Sequence, residues 1–224
     1  MMRYALLIAP LVFAVGDWFA VAHDRRRLEY VGKPATMIAL LGCLLFWMRG
    51  PHDTWQAPWF LFGVALSLVG DVLLMLRRER LFLAGLVAFL LAHICYTVGF
   101  NPTPPPWPSF LLLIPIAGAG ALALRGIVGG LRQGDAATML LPVGTYALVI
   151  SLMLFSAWAT LFRPSWGAAR SALAVLGGSL FFISDVLLAR DRFVKPVAQA
   201  RLWVHITYHV GQMGLAASIL LPVG

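Results

Sequence analysis

Residues 59–100 read WFLFGVALSLVGDVLLMLRRERLFLAGLVAFLLAHICYTVGF, two apolar runs joined by a basic knot at Arg77, Arg78 and Arg80. A bilayer core of about 30 Å is crossed by about 20 apolar helical residues, with about 17 as the lower limit, and both runs meet that length. The stretch is therefore a transmembrane helical hairpin with its turn at a charged interface. The same alternation of apolar run and polar break continues toward both ends and yields eight spans, at 3–22, 31–48, 59–76, 81–100, 109–131, 140–162, 168–189 and 197–221. Pro51, Pro58, the 102–108 stretch, Pro164 and Pro196 fall at or near span ends, where a missing N–H costs least. Pro115 and Pro142 lie in or near the fifth and sixth spans and mark a kink or a boundary displaced by a few residues. The expected fold is all-α, a polytopic membrane helix bundle in one transmembrane domain over residues 1–224.

Composition agrees, with 61% hydrophobic and 12% charged residues, far from the mix of a water-soluble domain. A net charge of +8 would suit nucleic acid, but the basic residues sit in short clusters between apolar runs and not along one face. Nucleic acid is therefore not an expected partner, and the lipid bilayer is. Cys43 and Cys95 both lie inside apolar runs, where they read as small buried residues and not as a disulfide or metal pair.

The charges also set topology. Ala20-Val21-Ala22 resembles a signal-peptide cleavage site, but Arg25, Arg26 and Arg27 follow it, so the first span reads as a retained anchor. With eight spans, 13 of the 17 basic residues fall on the side of the odd loops, and Arg3, Arg49, Arg163 and Arg170 fall on the other. By the positive-inside rule both termini are expected outside the cytoplasm, in the inner (plasma) membrane of a bacterium.

An internal echo is visible on this frame. Gly70-Asp71-Val72-Leu73-Leu74 closes the third span and Ser184-Asp185-Val186-Leu187-Leu188 closes the seventh. His93-Ile94-Cys95-Tyr96 follows in the fourth span and His205-Ile206-Thr207-Tyr208 in the eighth. The aspartates are displaced by 114 residues and the histidines by 112, which reads as a duplicated helical hairpin in one orientation. Ionisable groups inside a span are costly and usually face a bundle interior or a wet cavity, so Asp71 and Asp185 are the leading functional candidates. Asp71 lies six residues before Arg77, about 9 Å along the helix, and Asp185 is similarly just inside the same boundary. Asp17 lies at a comparable depth and is expected to pair with a neighbouring arginine or cap its helix. His93 and Tyr96 share a helix face, and His205, Tyr208, His209 and Gln212 form a polar stripe on the eighth span. Ser67 and Ser179 equally suit bonds to their own helix carbonyls.

In these residues the chain resembles the YhhN-like family of membrane proteins, which includes the lysoplasmalogenases. The resemblance is carried by Lys33-Pro34 opening the second span, Ser67-x-x-Gly70-Asp71 with Leu74, and Gly85 followed by Phe89, His93 and Tyr96. It continues in Gly178 followed by Phe182, Ser184 and Asp185, and in Tyr208 with Gln212. The region from Pro102 to Pro164 adds hydropathy and little else, and His209 has no family counterpart.

The resemblance implies hydrolysis of the vinyl ether bond of a lysophospholipid substrate, a lysoplasmalogen, to a fatty aldehyde and a glycerophospho-base, with no cofactor. Two carboxyl groups suit that chemistry: an acid protonates the alkenyl carbon, and a carboxylate steadies the oxocarbenium-like cation and takes a proton from water. Asp71 and Asp185 are the expected catalytic pair, in one cavity and roughly 5 to 10 Å apart, one protonated and the other ionised beside Lys33 or a tyrosine hydroxyl. Lys33, Ser67, His93, Tyr96, Ser184, His205, Tyr208 and Gln212 are the expected substrate-binding set. Lys33, Arg77, Arg78 and Arg80 stand at headgroup level, the arginines serving topology first. Two other readings fit the residues. His205 and His209 with His93 and Asp71 or Asp185 would make a zinc hydrolase, and parallel repeats with intramembrane carboxylates also describe a small proton-coupled transporter. Oligomeric state is not legible in the sequence.

Overall fold

A computed structural model of the chain describes residues 6–50, 55–76, 78–133 and 137–220. Arg3, Pro51 and Arg77, all used in the charge and proline arguments, lie outside them. The described residues form eight α-helices and no strand: α1 (Ile8–Ala22), α2 (Arg26–Trp47), α3 (Gln56–Met75), α4 (Glu79–Phe100), α5 (Leu113–Gln133), α6 (Leu140–Ala159), α7 (Gly167–Phe193) and α8 (Ala200–Leu220). Tight 3-10 turns lead into α5, flank α6 and precede α7.

Several boundaries differ from the sequence reading. The second helix begins at Arg26, not near residue 31, so Lys33 and Pro34 lie two turns inside it instead of opening it. Pro34 has no N–H for the carbonyl of Tyr30, so the helix continues through it with one backbone bond missing. Pro115 and Pro142 are each the third residue of their α-helix, within the first turn, where an N–H has no intrahelical acceptor. They mark displaced boundaries and not mid-span kinks.

Six helical stretches are long and apolar enough to cross a membrane, at 26–47, 56–75, 80–100, 107–132, 140–162 and 164–193. The other two helices fall short for different reasons. The described part of α1 is 15 residues long. In α8 the length is there, but His205, Thr207, Tyr208, His209 and Gln212 dilute its apolar character. The protein is an integral membrane protein: its helices turn large apolar side chains such as Val12, Phe62, Leu122 and Leu148 outward, a surface that lipid and not water covers.

The polar helix α8 is the one in the middle, packed on α1, α2, α3 and α7. Its tightest partner is α7, because Gly177 has no side chain: a Cβ there would lie 2.5 Å from the Leu215 nitrogen. Close helix contact through small residues is the usual packing device in lipid, where burial of apolar surface gives little drive. On the other side α4 packs on α6, and α6 on α5 and α7. Between the halves runs a chain of edge-to-face rings, from Phe100 and Phe60 through Tyr96 and Phe181 to Tyr208 and Phe89.

Candidate active site

Asp71 sits near the C-terminal end of α3, fully buried. The helix comes close to α4 at the preceding residue, where a Cβ on Gly70 would stand 2.6 Å from the Phe89 ring. Lys33 Nζ of α2 lies 2.8 Å from Asp71 Oδ1, and the Tyr208 hydroxyl of α8 donates to Oδ2 at 2.6 Å. Lys33 also lies over the Tyr208 ring, 5.1 Å from its centre. One turn deeper, Tyr96 donates to Gln212 Oε1 at 2.6 Å and Gln212 Nε2 donates to Ser67 Oγ at 2.9 Å, which ties α3, α4 and α8 together.

Asp185 on α7 has different company. The Tyr146 hydroxyl of α6 donates to its Oδ2 at 2.5 Å, and His93 Nε2 of α4 lies 3.2 Å from the same oxygen and 2.9 Å from the hydroxyl. The two echoing hairpins are thus cross-connected. The aspartate of the first is bonded by the His-x-x-Tyr helix of the second through Tyr208, and the aspartate of the second by that of the first through His93. Phe181 fills the space between, its ring centre 4.6 Å from His93 and 5.4 Å from Tyr208.

A third buried carboxylate completes the polar interior. Asp17 of α1 is fully buried, and its Oδ2 lies 2.6 Å from His205 Nδ1 and 3.8 Å from His209 Nδ1. The expectation that Asp17 pairs with an arginine or caps its helix is therefore corrected: α8 turns its histidine stripe onto α1 and withdraws the carboxylate from the interface. His205 Nε2 lies 3.7 Å from Glu29 Oε1 of α2, and Trp18 Nε1 donates to His209 Nδ1 at 3.2 Å.

Two cavities meet these groups. One holds about 720 Å³ of empty space, and apart from Tyr146, Ser151 and Asp185 its wall is apolar, with Phe82, Phe89, Phe182 and Phe193 among the residues. The other holds about 950 Å³ and is polar, lined by Arg26, Glu29, Lys33, Asp191, Arg201 and His205. Leu74 and Leu188 line both. They are the last leucines of the two Asp-Val-Leu-Leu segments, each one turn beyond its aspartate, so the echo in the sequence becomes the partition between the cavities. At the polar mouth, in the α1–α2 connection, Asp24 accepts from Arg201 Nη2 at 2.7 Å and lies 3.4 Å from Arg26 Nε. The hydrogen bond and charge of Arg201, helped by Arg26, hold the Asp24 carboxyl below its usual range.

Of the expected site residues, Lys33, Asp71 and Tyr208 come together, as do Tyr96, Gln212 and Ser67, while His93 joins Asp185 on the other side of Phe181. Ser184 is not part of either group, since its hydroxyl donates to the Val204 carbonyl at 3.1 Å and ties α7 to α8. Ser67 and Ser179 accept hydrogen bonds from Gln212 and Trp158 on other helices. Cys43 is buried and donates to the Leu6 carbonyl, and both cysteines are free thiols. The zinc set is not gathered, because His93 faces Asp185 while His205 and His209 face Asp17; among the described residues no three His, Cys, Asp or Glu side chains converge as metal ligands. The sequence reading missed Tyr146, Glu29 and Arg201 as site-lining residues. Only Tyr146 carried a signal, as the one tyrosine of a largely apolar span.

The YhhN family model matches residues 28–219. The human lysoplasmalogenase TMEM86B is 33% identical over 216 residues, 95% of this chain and 86% of the relative. Human lysoplasmalogenase TMEM86A is 32% identical over 157 residues, 70% of this chain and 62% of the relative. The membrane protein YhhN of Escherichia coli O6:H1 is 34% identical over 232 residues, 96% of this chain and all of the relative. No solved structure matches the chain.

Proposed function

We propose that this chain, which belongs to the YhhN family, hydrolyses the vinyl ether bond of lysoplasmalogens, releasing a fatty aldehyde and a glycerophospho-base. The observation that carries the reading is the junction of the two cavities. A lysoplasmalogen has one apolar chain and one charged headgroup, joined through glycerol at the bond to be cleaved. The apolar cavity suits the chain, the polar one with Lys33, Arg26 and Arg201 suits the phosphate, and the Leu74–Leu188 partition is where the ether would lie.

The two aspartates divide the work in this reading. Asp71 receives a lysine ammonium on one oxygen and a tyrosine hydroxyl on the other, two contacts that favour its charged form. It lies on neither cavity wall, so it acts by fixing Lys33 and Tyr208 and by adding negative potential near the developing cation. Asp185 reaches the apolar cavity with Tyr146 and His93 both on Oδ2, which leaves Oδ1 to deliver a proton to the alkenyl carbon. Protonation produces an oxocarbenium-like cation, water adds beside the ether oxygen, and the hemiacetal collapses to aldehyde and alcohol. Among the named substrate-binding residues, His93 orients Asp185, and Tyr96, Gln212 and Ser67 hold the helices that frame the site.

The charge split supports an orientation with both termini outside and the polar cavity opening to the cytoplasm. The experiment is mass spectrometry of purified protein in detergent, where no gradient can drive transport, incubated with a lysoplasmalogen and with its acyl counterpart. Aldehyde from the first and no fatty acid from the second is the expected result. Fatty acid from the second, or no product from either, would remove the reading.

A further inference from the structure

Vinyl ether hydrolysis consumes a water that must be deprotonated as it attacks, and Asp71, sealed away from both cavities, is poorly placed to do it. Resting on the proposed activity, we infer that His205, oriented by Asp17 and assisted by Glu29, is the base that activates this water at the wall of the polar cavity.

The geometry is that of an Asp–His dyad. Asp17 Oδ2 accepts from His205 Nδ1 at 2.6 Å, which fixes the ring and leaves Nε2 as an acceptor. Glu29 Oε1 is 3.7 Å from Nε2. Two acceptors at that distance cannot bond one another, but one water can donate a proton to each, with its lone pairs turned to the cavity. Glu29 and His205 both line that cavity, and both are nearly buried, at 9% and 5% exposure. Glu29 Oε2 is buried with no hydrogen bond among the described residues, its one charged neighbour being Arg201 Nε at 3.8 Å, so the carboxylate keeps acceptor capacity for a water at the cavity wall. Neither Asp17 nor His205 has a role in protonating the substrate, and a structural Asp–His pair would have no need of a cavity wall.

The Asp185 proton bonds to the alkenyl carbon with the π electron pair, leaving positive charge shared by the adjacent carbon and the ether oxygen. The water oxygen bonds to that carbon as its proton passes to His205 Nε2. On collapse, the carbon to glycerol-oxygen bond breaks, His205 returns its proton to the glycerol oxygen, and the hemiacetal hydroxyl returns a proton to Asp185. Aldehyde and alcohol leave, and both groups are restored.

The test separates protonation from water addition. His205→Gln, Asp17→Asn and Glu29→Gln proteins are incubated in D2O with a lysoplasmalogen bearing an ethanolamine headgroup, following aldehyde release and deuterium at the alkenyl carbon of recovered substrate. The expected result for His205→Gln is aldehyde release reduced by about 10² to 10⁴ fold, the usual contribution of a general base, with deuterium entering the unhydrolysed lipid. Asp17→Asn should reduce release with the same exchange signature, which a merely structural carboxylate would not produce. Glu29→Gln conserves volume and reads the same step if His205→Gln fails to fold. Near-parental release in the His205 and Glu29 variants, or loss of exchange together with release in variants of unchanged melting temperature, would overturn the inference. Failure of the underlying activity looks different: the parent protein itself would give neither aldehyde nor deuterated lipid.

Discussion

Lys33 Nζ stands 2.8 Å from Asp71 Oδ1 with both side chains almost wholly out of water. A buried pair gains little net energy over two well-packed apolar groups, because each charge loses its hydration, but breaking such a pair strands the survivor. Lys33→Met alone, or Asp71→Leu alone, is expected to destabilise the protein by about 3 to 5 kcal/mol, and the two combined by less than the sum. Thermal unfolding in detergent measures this. Additive losses in the double variant would show that the two charges are not coupled.

Tyr146 is expected to matter to turnover more than to fold. Its hydroxyl bonds Asp185 Oδ2 at 2.5 Å, and it is the residue through which α6 reaches that carboxylate. Tyr146→Phe removes one donor while keeping the ring, so the proton donor loses its orientation. Aldehyde release should fall by about tenfold or more with melting changed by about 1 kcal/mol, the net worth of one hydrogen bond. An unchanged rate would detach Tyr146 from the site.

The frame of the molecule was legible in the sequence because the bilayer imposes it: apolar run lengths and arginine breaks gave the helices, and scarce polar residues marked the interior. Asp71 and Asp185 stand out for that reason, and Lys33 or a tyrosine hydroxyl is the expected neighbour of one of them, the sequence leaving open which. The partners from other helices were less accessible. Tyr146 bonds Asp185 across a 39-residue separation, and Asp17 bonds His205 across 188, contacts fixed by how helices rotate against each other and not by any local pattern. Glu29 was hidden because α2 starts a turn earlier than its hydropathy suggests. The cavities required side-chain packing that no periodicity records.

The α7–α8 crossing should be intolerant of added volume. A Cβ at Gly177 would press on the Leu215 nitrogen at 2.5 Å, backbone that cannot rotate away. Gly177→Ala is expected to cost about 1 to 3 kcal/mol or more by thermal unfolding, and to lower activity by moving Tyr208 and His205 from Asp71 and Asp17. A neutral outcome would mean that the two helices separate freely.

Topology is checked by reporter fusions at the two ends of the chain. Both reporters should be active outside the cytoplasm, the outcome the split of basic residues predicts. A cytoplasmic carboxyl terminus would remove one span from the count and reverse the polar cavity.

In the proposed mechanism Asp185 supplies the proton that starts vinyl ether cleavage. The most direct measurement is the rate of aldehyde release from a lysoplasmalogen by Asp185→Asn protein, compared by mass spectrometry with the parent at equal folded concentration. The predicted result is a loss of about 10² to 10⁴ fold, since asparagine keeps the shape and cannot give up the proton. Release at close to the parent rate would show that the proton does not come from Asp185.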